Sequence, residues 1–86
     1  MYLHLGQDTV VTTESIIGIF DIDACTVSKK TRDYLAAAEK EKRVVNVSYE
    51  LPKSFVVCQR KGKTVVYISQ ISPKTLLSRT INKINN

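Results

Sequence analysis

Lys53-Ser-Phe-Val-Val-Cys-Gln-Arg60, Lys61-Gly62, Lys63-Thr-Val-Val-Tyr-Ile-Ser69 is the stretch that decides how this chain folds. Two runs rich in β-branched and aromatic residues flank a lone glycine, the pattern of a β-hairpin. Gly62 supplies the positive φ that a tight reversal requires, and Val, Ile and Tyr suit a pleated, half-buried surface. Arg60, Lys61 and Lys63 fall at the tip, Lys53 stands at the entrance, and no acid follows Leu51. An apolar ribbon with a cationic end is suited to an anionic partner. Lysine at a turn also keeps a sheet edge solvated, so the hairpin alone leaves both readings open.

The charge of the whole chain tips the balance. Residues 1–42 carry five basic side chains against seven acids, whereas residues 43–86 carry eight against Glu50 alone. The formal net charge of +5 is therefore a property of the second half. Such asymmetry bears on partners rather than on fold, and it favours nucleic acid or another anionic surface. Exposed aromatics for stacking on single strands are scarce, since there is no Trp and the pattern puts Tyr49 and Tyr67 within strands. Duplex DNA is the expected partner rather than single-stranded nucleic acid.

At 86 residues the chain is expected to form a single domain, 1–86, with a small core. A domain of this size buries only ~60–65% of its unfolded surface, and self-association is one remedy. Cys25 and Cys58 lack metal-ligand spacing, and the opening Met-Tyr-Leu-His-Leu-Gly lacks the features of a signal peptide. Free thiols, a cytoplasmic location and no membrane span are the expectation.

Strands are expected at Tyr2–Leu5, Thr9–Thr13 and Ser15–Phe20. The third is apolar on both faces, through Ile16, Ile17, Ile19 and Phe20, so it lies centrally in a covered sheet or faces another subunit. Gly18 within it marks a bulge or a close approach. A helix follows from about Ser28 to Lys42, with Val27, Thr31, Tyr34, Leu35 and Ala38 on one stripe. Asp21 and Asp23 precede it as helix-favouring negative charge. Arg43–Tyr49 reads as the fourth strand, and Ser72-Pro73 as the start of a last helix whose stripe is Leu76, Leu77, Ile81 and Ile84. The fold class is α+β, a small and mostly antiparallel β domain in the order βββαβββα. His4 has no partner at ligand spacing and reads as a polar strand residue. No nucleophile–base pair or phosphate-cradling loop suggests an enzyme, and no cofactor or small-molecule substrate is expected.

The opening block from Met1 to Asp21, the later Pro52-Lys53-Ser54 and the Ser-Pro start of the last helix resemble the extracellular-matrix regulators of the RemA/RemB type, on the RemB side. The resemblance covers nearly the whole chain. It implies a bacterial, nucleoid-associated DNA-binding regulator of matrix and biofilm genes, assembled as a ring whose outer arginines hold wrapped duplex. This chain has Glu50-Leu51-Pro52-Lys53 where RemA-like chains have an arginine-rich loop, and Ser15 where they have an arginine. Arg32 is the cation that matches best, and the remaining charge must come mainly from Arg60, Lys61 and Lys63. The alternative is a non-catalytic interaction or scaffold module that binds itself or another regulator through its two-faced strands.

Overall fold

The computed structural model describes residues 1–85, with side chains to residue 80. The central hairpin forms as its sequence dictates. Strand β5 (Ser54–Arg60) and strand β6 (Lys63–Ser69) pair antiparallel in an unbroken register from Ser54↔Ser69 to Arg60↔Lys63. The two-residue turn places Lys61 at φ 53° and Gly62 at φ 79°. Two consecutive positive φ values match the right-handed twist of the flanking strands, so the turn continues the ladder without splaying it.

Around this hairpin lies a four-stranded sheet in the order β3-β5-β6-β4, with β3 at Ile16–Asp21 and β4 at Val44–Asn46. The pair β3/β5 is antiparallel and β4/β6 parallel. The chain passes from β3 to β4 through a one-turn helix α1 (Ile22–Cys25) and helix α2 (Lys29–Lys40). Two parallel strands in one sheet need such a crossover. Strands β1 (Tyr2–Gly6) and β2 (Thr9–Thr12) form a separate two-stranded ribbon, and helix α3 spans Pro73–Asn85. The α+β class and its mostly antiparallel character stand as expected; α1 is an addition. Asp21 caps it by accepting from the Ala24 N–H at 2.9 Å and Asp23 lies in its first turn, so the acidic pair starts a helix of its own. Ser28, by contrast, makes no side-chain cap on α2.

Both faces of the sheet are covered at β5, which is why that strand reads as a continuous apolar run. Phe55 and Val57 face α2, packing with Ala38 and Val66 and flanked by Ile22, Leu35 and Ile68. Val56 and Cys58 face the β1–β2 ribbon and α3, packing with Leu3, Leu5, Val11, Val47 and Leu76. The buried Ser69 hydroxyl locks the ribbon to the sheet, donating to the Leu5 carbonyl at 2.7 Å and accepting from the Ile71 N–H at 3.0 Å. Ser72 caps α3 by accepting from the Thr75 N–H at 3.2 Å. Of the stripe expected on α3, Leu76 is buried and Leu77 exposed; Ile81 and Ile84 lie outside the described side chains.

The structure excludes a central place for β3, one of the two readings of its apolar faces, and shortens β4. β3 is an edge strand, and its second apolar face stays open: Ile17 is 57% exposed and Phe20 37%. At Gly18 both expected features occur together. The β3/β5 register shifts between Ile16 and Gly18, and a Cβ at Gly18 would stand 2.5 Å from the Phe20 ring. That ring stacks on Phe55 with centroids 5.0 Å apart. β4 is shorter than Arg43–Tyr49, because its partner β6 ends at Ser69 where the chain turns toward α3. Val47 makes the last bond, to the Ile68 carbonyl at 2.9 Å. Tyr49 is thereby released from the sheet and fully exposed, not held in a strand.

Candidate nucleic-acid interface

The cationic tip is the end of an overhang. β3 pairs with β5 no further than Cys58, and β4 pairs with β6 no earlier than Val66. The last two rungs of the hairpin, Gln59↔Thr64 and Arg60↔Lys63, extend past both neighbours. Two residues of strand correspond to about 7 Å of projection. Arg60, Lys61 and Lys63 are all exposed there. Arg60 and Lys63 are direct cross-strand partners, and like charges in that position oppose the pairing. No carboxylate pairs with any of the three among the described residues. The tip is an uncompensated concentration of positive charge.

Its root is braced by Arg43. The Arg43 guanidinium donates to the Thr64 carbonyl at 3.1 Å and to the Thr64 hydroxyl, while its other nitrogens meet Glu41 at 2.7 and 2.8 Å. The Arg43 carbonyl accepts from the Val66 N–H at 2.8 Å. Bonding to Glu41, then to Tyr34, raises the Arg43 pKa above its ordinary value. Arg43 and Thr64 stand 21 residues apart, and no local pattern joins them.

The other two cations singled out in the sequence lie elsewhere. Lys53 precedes β5 at its opposite end, about 23 Å from Arg60 at ~3.3 Å of rise per residue. It shares a cleft with Asp21 and Asp23. Its backbone is fixed on both sides: its N–H donates to Ser69 at 2.9 Å and its carbonyl accepts from Ile22 at 3.1 Å. Arg32 lies in the first turn of α2, where one guanidinium nitrogen donates to the Thr26 and Val27 carbonyls at 2.8 and 3.0 Å. It ties down the α1–α2 connection while remaining exposed. The structure thus brings together Arg60, Lys61 and Lys63, and separates Lys53 and Arg32 from them. On α3, Arg79 reaches the His4 carbonyl at 3.3 Å, and the His4 ring bonds the Gln7 carbonyl oxygen at 2.6 Å, a local polar role.

A second surface is apolar. A groove of about 410 Å³ opens between β3 and α2, floored by Phe55 and Val57 and walled by Ile17, Phe20 and Tyr34, with Lys30 at its rim. Cys25 and Cys58 are free thiols; burial pushes that of Cys58 up. No group of three or more His, Cys, Asp or Glu side chains converges to hold a metal among the described residues. No helix among them is long and apolar enough to cross a membrane.

The described residues form a small α+β domain from which a hairpin with three exposed cations projects. Residues 2–80 match the RemA-like family, described as extracellular matrix regulatory protein A-like, and the chain belongs to that family. Among its relatives is Extracellular matrix regulatory protein B of Bacillus subtilis (strain 168), 40% identical over 79 residues. That match covers 92% of this chain and 89% of the relative.

Proposed function

We propose that this protein is a cytoplasmic, nucleoid-associated DNA-binding regulator of extracellular matrix and biofilm genes. In this reading it acts as a homo-oligomeric ring that meets duplex DNA through one basic hairpin tip per subunit. Membership of a family of matrix regulators supports the regulatory role. The observation that carries the DNA reading is the overhang: three exposed cations, two of them facing each other, extended beyond the sheet without an acid to neutralise them. Three phosphate contacts per chain give weak affinity alone, and repetition around a ring adds them along one duplex. Backbone contact and DNA deformability, rather than base reading, would then set the binding.

A second reading, an interaction module without DNA, is favoured by the apolar groove and by the exposed Ile17 and Phe20. Fluorescence anisotropy with random and promoter duplexes at two salt concentrations separates the two. The DNA reading expects saturable binding to both duplexes that weakens steeply with salt. Absence of binding at low salt contradicts it and leaves the interaction module.

A further inference from the structure

The groove between β3 and α2 carries one charge on a mostly apolar lining. Phe55 and Val57 form its floor, and Ile17, Phe20 and Tyr34 its walls. Ile17 is 57% exposed and Phe20 37%, so large apolar surface faces solvent there. The Tyr34 hydroxyl is already engaged by Arg43. Among the described residues that line the groove, Lys30 is the one cation and none is acidic. Neighbouring Lys29 pairs with Asp33 at 3.1 Å, whereas Lys30 has no ion-pair partner among the described residues. Lys30 and Thr31 belong to the first turn of α2, where the helix dipole adds to the attraction for negative charge.

We propose that this groove binds a small amphiphile with one negative charge, an apolar monocarboxylate of the medium-chain fatty-acid class. The chain lies against Phe20, Phe55 and Val57, and the carboxylate meets the Lys30 ammonium and the Thr31 hydroxyl at the rim. A volume of about 410 Å³ falls within the ~300–1,000 Å³ of small-molecule sites, whose apolar walls carry a few polar groups that fix orientation. One unpaired cation balances one negative charge, which favours a carboxylate over a doubly charged phosphate. The groove shares no residue with the hairpin tip, so the proposal stands apart from the DNA reading and its test needs no DNA.

Cys25 reads the occupancy of the groove. Its thiol lines the groove and is partly accessible, whereas Cys58 is fully buried. The full chain is titrated with decanoate below its micelle concentration, by calorimetry and by the rate of iodoacetamide modification at Cys25. Decyltrimethylammonium, with the same chain and the opposite charge, is the control. Decanoate is expected to bind once per chain and to slow modification of Cys25 over the same concentration range, and the control to bind more weakly. Affinity is expected to rise about twofold to threefold for each methylene added to the chain. Lys30→Ala is expected to weaken decanoate binding about fivefold. Ile17→Asp, at an exposed position and with its fold checked by circular dichroism, is expected to abolish decanoate binding. Neither heat nor protection of Cys25 overturns the proposal. Equal protection by both amphiphiles, or undiminished decanoate binding by Lys30→Ala, also overturns it, because the charge then selects nothing. A Cys25 that is unreactive before any probe is added shows the groove covered by another copy of the chain, and overturns it as well.

Discussion

Arg60 and Lys63 face each other as the last rung of the β5–β6 ladder, beyond the reach of both neighbouring strands. Neither residue is needed to cover the core, and their mutual repulsion opposes the pairing they sit on. The turn between them adds a third cation in a left-handed conformation that lysine adopts reluctantly. Local stability disfavours this arrangement twice over, and the proposed contact with duplex DNA would account for it.

Lys61 offers a way to separate fold from function. Lys61→Asn converts the turn to Asn-Gly, the pair best suited to two positive φ values. The variant is expected to gain roughly 0.5–1 kcal/mol of stability in urea unfolding. Its DNA affinity is expected to fall, with the salt slope shallower by about 0.9 for each engaged subunit. A variant that is more stable and binds DNA equally well would remove Lys61 from the interface.

Ser69 joins the sheet to the β1–β2 ribbon through two bonds from one hydroxyl. Ser69→Ala leaves the Leu5 carbonyl and the Ile71 N–H without partners. It is expected to cost about 1–3 kcal/mol by chemical denaturation, with DNA binding by the folded fraction unchanged.

Gly18→Ala puts a methyl group where the Phe20 ring lies. The ring is partly exposed and can swing out, so the fold is expected to survive. The loss should be about 0.5–1.5 kcal/mol, the worth of the Phe20–Phe55 stack. Near-ultraviolet circular dichroism reads the displaced ring directly.

Much of this was legible in the chain because the governing interactions are local. The hairpin depends on adjacent runs and Gly62, the start of α3 on Ser72 and Pro73, the irregularity in β3 on Gly18 and a ring two residues away. What escaped notice is set by distance. Lys53, at the hairpin's entrance, counts with the tip cations as a candidate DNA contact, although a strand's length separates it from Arg60. The alternation of Val45, Val47 and Tyr49 suits a strand throughout, yet β4 stops where β6 ceases to offer partners. The brace from Arg43 to Thr64 exists only once the parallel β4/β6 pair has formed.

Arg43 consequently matters to the tip without belonging to it. Arg43→Lys keeps the charge but loses the forked geometry that meets Glu41 and Thr64 together. Faster amide hydrogen exchange at Thr64–Val66 is expected, with a smaller loss of DNA affinity than any tip substitution produces. Unchanged exchange there would show that the hairpin root needs no brace.

The most direct measurement is the salt dependence of duplex binding for the wild type and for Arg60→Ala/Lys61→Ala/Lys63→Ala. The three positions are exposed, so the variant should fold and assemble as the wild type does. If the tips are the phosphate contacts, affinity falls for every sequence tested and the slope of log K against log salt flattens by about 2.7 for each engaged subunit. A variant that binds duplex with the wild-type slope contradicts the account.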